Sequence, residues 1–144
     1  MSASNAMENK LLSLYFENAN AANVGDATGL RGSTTAGSTY CGLTTADPGE
    51  AGSQTTSETA YSNYARQAVA RSTAGWTVAS GVADNDAAIT FPTCGVTGST
   101  ITNTTLGSAV SGAGDLDFSG TASLVISQNI TPSFGIGQLD ISSD

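Results

Sequence analysis

The sequence predicts an all-β protein: a β-sandwich or jelly roll of about seven to eight short strands, with a short N-terminal helix and an extended arm. Three observations carry this. Beyond residue 38 the apolar residues alternate with polar ones, as strands with one buried face require. Turn chemistry built on Gly, Asp, Asn and Pro recurs between those runs at roughly 8–12-residue spacing. Helical periodicity is confined to the first part of the chain.

The elements follow in order. Asn5 is a candidate N-cap, with Glu8 three residues on as in a capping box. Met7, Leu11 and Tyr15 lie at i, i+4 and i+8 with Leu12 and Phe16 beside them, so a helix is predicted over about residues 6–18. Residues 19–37 are rich in Ala, Asn, Gly and Thr and read as a linker or docking loop. A strand is predicted over Thr39–Thr45, then a turn over Ala46-Asp47-Pro48-Gly49-Glu50 and a polar loop over Gly52–Thr59. Tyr64–Arg71 alternates as a strand. Trp76, Val78 and Val82 mark the next one, with Trp76 as a core anchor. Gly81 and Asp84-Asn85-Asp86 read as turns. Ala87, Ile89 and Phe91 form a strand that Pro92 ends. Thr97–Leu106 is a Thr-rich strand, and Ser111–Gly114 is a turn. Leu116 with Phe118 and Leu124–Ile126 then read as separate strands. Gln128-Asn129 is a turn, and a last strand spans about Gly135–Ile141. The implied organisation is a helix and docking arm over 1–37 and a sandwich domain over 38–144.

The 144 residues suffice for a single core, and that core is thin. Gly, Ala, Ser and Thr fill more than half of the chain, while Leu, Ile, Val and Phe make up less than a fifth. Burial of so little apolar surface leaves a small surplus over conformational entropy. Contacts with other chains are therefore expected to supply part of the stability.

Charge and residue chemistry exclude several function classes. Four basic residues (Lys10, Arg31, Arg66, Arg71) stand against twelve acidic ones, a net of −8. They form no basic stripe for phosphates, so nucleic acid is not an expected partner. No run approaches the roughly 18 apolar residues needed to span a bilayer, so no membrane is expected either. Nor does a basic stretch followed by an apolar one open the chain as a secretion signal would. Histidine is absent, which removes the usual general base, zinc ligand and serine-triad partner. No Gly-rich phosphate loop occurs. No catalytic, cofactor-binding or metal-ligating residue is assigned, and an enzyme is not expected. Asp84-Asn85-Asp86 is the one oxygen cluster of interest to a hard cation. It lacks a closing Glu and reads as a solvated hairpin turn. Asp115 and Asp117 share a solvent face, where like charges deter edge pairing. Cys41 and Cys94 read as two buried thiols, with a bridge between them as the alternative.

Four segments, in order, resemble a family of small phage virion proteins often labelled tail fibre proteins. They are Asn9-Lys10-Leu11-Leu12, Leu43-Thr44-Thr45-Ala46-Asp47-Pro48, Tyr64-Ala65-Arg66-Gln67-Ala68-Val69 and Ala88-Ile89-Thr90-Phe91-Pro92. The chain departs from the pattern in the insert over 19–37 and in the Thr- and Ser-rich stretch after Phe91. The resemblance implies a structural role in a virion assembled in the host cytoplasm. Capsid decoration is the favoured expectation: a cement protein bridging capsomers, with the major capsid protein or other virion proteins as partners. A tail, collar or fibre component, with host-glycan binding as an option, is the alternative. A homo-oligomer, trimer or dimer, is expected. The residues expected to dock on a partner are Met7, Leu11, Leu14, Tyr15, Leu30, Arg31 and Arg66.

Overall fold

A computed structural model describes residues 3–25 and 29–142. One helix, α1 (Asn5–Phe16), precedes nine strands: β1 (Ser38–Thr44), β2 (Gln67–Ala70), β3 (Trp76–Ala79), β4 (Val82–Asn85), β5 (Ile89–Thr90), β6 (Ser99–Gly107), β7 (Leu116–Ile126), β8 (Ser133–Phe134) and β9 (Asp140–Ser142). The strands form sheets of order β2-β1-β6-β7 and β3-β4-β9 and a two-stranded pair, β5-β8. The all-β class read from the sequence is what the chain adopts. The contacts group the chain into two compact units. One comprises Met1–Ser38, Ala70–Ala88 and Phe134–Asp144; the other comprises Thr39–Val69 and Ile89–Ser133.

In the first unit, α1 is built from good helix formers, among them Ala6, Met7, Glu8, Lys10, Leu11 and Leu12. It starts at Asn5, the expected cap, so the cap itself falls one residue earlier. Ser4 is the N-cap and its side chain makes no capping bond, so the Asn5–Glu8 capping box does not form. The Ser4 carbonyl instead accepts the Met7 and Glu8 N–H groups at 2.8 and 2.9 Å. Asn18, at φ +57°, ends the helix in the left-handed conformation that Asn tolerates.

Described residues on either side of 26–28 are tied together. Ala21 and Leu30 pair as an antiparallel bridge. The Asn18 side chain donates to the Ser33 carbonyl at 2.8 Å and accepts the Ser33 N–H at 2.6 Å. Gly29 and Gly32 are needed here: a Cβ at Gly29 would lie 2.0 Å from the Ala21 oxygen, and one at Gly32 would lie 2.1 Å from the Asn18 oxygen.

Trp76, Val78 and Val82 belong to a hairpin rather than to one strand. β3 and β4 pair antiparallel from Trp76–Asn85 to Ala79–Val82 around Ser80-Gly81, whose φ values of +54° and +81° suit a two-residue turn. α1 packs on both strands. Its Leu12 and Phe16 are buried with Trp76, Ala83, Leu139 and Ile141, and the Phe16 and Trp76 rings lie 4.5 Å apart.

Asp84-Asn85-Asp86 is not the solvated turn that the sequence suggests. Asp84 and Asn85 lie in β4, and Asn85 is fully buried. Its amide nitrogen donates to the Ala87 and Gly135 carbonyls, both at 2.8 Å. Its oxygen accepts the Gln138 and Leu139 N–H groups at 3.1 and 2.9 Å. All four bonding positions of one amide are used, and they deliver the chain into β9.

In the second unit β1 and β6 pair antiparallel with Cys41 opposite Leu106 and Leu43 opposite Thr104. Leu116–Phe118 and Leu124–Ile126, expected as separate strands, are the ends of one. β7 pairs with β6 along its length and absorbs two register shifts, because nothing between Ser119 and Ser123 forces a turn. β2 begins at Gln67, later than expected, because the chain before it is engaged by side chains. The Tyr64 hydroxyl, not a backbone carbonyl, takes the Leu43 N–H at 3.0 Å. Cys41, Leu43, Phe91, Ile101, Leu106 and Ile126 form the apolar core. Cys41 and Cys94 are both buried and unbridged.

Candidate docking surface

The amphipathic stripe of α1 is turned differently from the expectation. Leu12 and Phe16 face the interior, whereas Met7 and Leu11 are 38% and 40% exposed, one turn apart on one side of the helix. Leu14 and Tyr15 are half-buried. Leu30, at the closure of the loop, is 44% exposed, and Arg31 is exposed beside it. With Ile136, 68% exposed, Met7, Leu11 and Leu30 are the large apolar side chains of the first unit that meet solvent among the described residues.

Arg71 fixes the end of this helix. Its Nε donates to the Tyr15 carbonyl at 2.5 Å, Nη2 to Leu14 at 3.0 Å and Nη1 to Ala36 at 3.0 Å. A cation at the C-terminal carbonyls also suits the helix dipole. The guanidinium carbon lies 5.8 Å from the Tyr15 ring centroid. At the other edge, Asn9 accepts the Gly81 N–H at 2.6 Å and Glu17 accepts the Val78 N–H at 3.3 Å. The helix is therefore a rigid mount for Met7 and Leu11.

Arg66 does not join these residues. It is 5% exposed and lies in the other unit. Nε donates to Glu58 Oε1 at 2.6 Å, Nη2 to Glu58 Oε2 at 2.7 Å and Nη1 to the Ala109 carbonyl at 2.9 Å. The Tyr64 hydroxyl donates to Glu58 Oε1 at 3.0 Å. Burial first, then the Glu58 carboxylate, pushes the Tyr64 hydroxyl well above its ordinary range, offset in part by the Leu43 N–H and Arg66. Arg66 thus holds the interior together and offers nothing outward.

Sequence reasoning missed Arg71, Glu58 and Asn85. A signal existed for the first: in a chain with four cations, each one invites the question of what it pairs with. No local signal marks Asn85, three of whose four partners lie some fifty residues away.

Among the described residues no three His, Cys, Asp or Glu side chains converge on a metal-sized site. Burial pushes the Cys41 thiol up to about 12, only partly opposed by its contact with the Thr104 hydroxyl. No helix among the described residues is long and apolar enough to cross a membrane.

The family model described as Podophage GP4 fiber I protein gp80 matches residues 2–142, and the chain belongs to that family. The resemblance read from the four sequence segments is thereby borne out. No curated protein matches the chain.

Proposed function

We propose that the chain is a structural component of a phage fibre apparatus and acts by docking on other virion proteins, without catalysis. The family match over nearly the whole chain carries this reading. The braced helix supplies the contact: Met7 and Leu11, with Leu30, offer apolar anchors of the kind that dominate protein interfaces. Avidity from many copies converts weak contacts into stable attachment.

The second reading is capsid decoration, bridging capsomers. It is favoured by the thin apolar core, to which contacts with neighbouring capsomers would add stability. Copy number separates the two. Quantitative staining of purified particles is expected to give a handful to a few dozen copies for a fibre component; hundreds would favour decoration.

A further inference from the structure

β9 is a three-residue strand held on β4 by three register pairs: Val82–Ser142, Ala83–Ile141 and Asp84–Asp140. The last sets two carboxyl groups directly opposite each other, where like charges weaken a ladder. Strand alternation puts Asn85, Ala83 and Ile141 on the buried face and Asp84 and Asp140 on the other.

We propose that Asp84 and Asp140 form an acid-tightened clasp on the C-terminal strand: ionised, they push β9 from β4, and with one proton between them they bind it.

The surroundings leave the pair to itself. β3 presents Thr77, in register with Asp84, and β4 and β9 add only Val82 and Ser142 on that face. Asp86, past the end of β4, is exposed. The charged groups of α1 are Glu8 and Lys10, with Glu17 at its C-cap. Glu8 lies against Gly81 and Glu17 bonds the Val78 N–H. Among the described residues no cation acts on Asp84. Partial burial, then a hydrogen bond that the protonated Asp84 donates to Asp140 and the charge of Asp140, all raise it above the ordinary carboxylate range. A group raised in the folded state contributes stability that is complete below its unfolded value and is lost as pH rises through its folded value. The clasp therefore tightens on acidification.

The test is amide hydrogen exchange on the full chain between about pH 7.5 and about pH 4.5, which brackets the carboxylate range, with rates corrected for intrinsic exchange. Protection of the 82–85 and 139–142 amides is expected to rise about two- to fivefold on acidification relative to the β1–β6 amides. Asp140→Asn and Asp84→Asn should each show the raised protection already at neutral pH and lose the pH response. Asp86→Asn should respond as the unsubstituted chain does. A wild-type ladder that does not tighten in acid, or an Asp140→Asn chain that keeps the full response, overturns the proposal. So does failure of both variants to fold, since the clasp requires that an amide at these positions strengthen the sheet.

Discussion

Arg66 grips Glu58 with two parallel hydrogen bonds, Nε to Oε1 at 2.6 Å and Nη2 to Oε2 at 2.7 Å, behind a surface that leaves the arginine side chain almost no solvent. Such a pair repays its desolvation only when geometry is good and the remaining donors are satisfied. Both conditions hold, because Nη1 reaches the Ala109 carbonyl and the Tyr64 hydroxyl completes the carboxylate. Removing one partner should cost far more than removing both. Glu58→Gln is expected to destabilise the fold by about 3–5 kcal/mol, whereas Glu58→Leu with Arg66→Met should come close to the unsubstituted chain. Urea unfolding of the two variants measures the difference.

Asn85 is the second interior clasp, and its loss should be felt at the C-terminus. Asn85→Ala strands two carbonyls and two N–H groups in a buried place, for which about 2–4 kcal/mol is the expected cost. Asn85→Asp keeps the acceptor for Gln138 and Leu139 and puts a charge against the Ala87 and Gly135 carbonyls, so it should not rescue. Thermal unfolding, with proteolysis near residues 135–139 as a local readout, checks both.

Met7 and Leu11 separate folding from attachment. Both are exposed, so replacing them by glutamine, itself a good helix former, should alter stability by less than about 0.5 kcal/mol. Binding to particles that lack the protein should fall by tenfold or more if these side chains anchor the contact, as burial of two large apolar groups is worth roughly 3 kcal/mol. Unchanged particle binding by the double variant would rule out this face as the docking surface.

Cys41 should be chemically silent in the native protein. Its thiol, pushed up to about 12 by burial, is protonated at neutral pH and has no path to reagent. The raised value means that its contribution to stability is complete below the unfolded thiol value, declines as pH rises above it, and is lost as pH passes through the folded one. Thiol-reactive probes at about pH 8 should label Cys41 only at the rate of unfolding, and adding denaturant should accelerate labelling in step with loss of structure.

Much of the β architecture was legible because its signals are local. Asp47-Pro48-Gly49 announces its turn, and there the Asp47 carboxylate takes the Gly49 N–H at 2.9 Å with Gly49 at φ +67°. Asn129, at φ +66°, marks the turn expected at Gln128-Asn129. Ile89 and Phe91 are buried with exposed Thr90 between them, as alternation requires. Boundaries failed where a side chain took over the work of the backbone, as Tyr64 does at the Leu43 N–H.

The choice of helix face shows the same division. Met7, Leu11 and Tyr15 make a continuous stripe, and Leu12 and Phe16 make another beside it. Periodicity cannot rank two adjacent stripes. Trp76 decides between them, because its ring offers Phe16 a partner at 4.5 Å and leaves Met7 and Leu11 in solvent.

By itself the sequence determined the all-β class, the turns and the thinness of the core, since these follow from alternation, special backbone angles and composition, all of which act over a few residues. Only the tertiary structure decided that Arg66 is an interior clasp and that Asn85 is buried rather than solvated. Both depend on hydrogen-bond partners outside the local segment, Ala109 for Arg66 and Gly135, Gln138 and Leu139 for Asn85, and a buried donor or acceptor chooses its place by where its partner can be met.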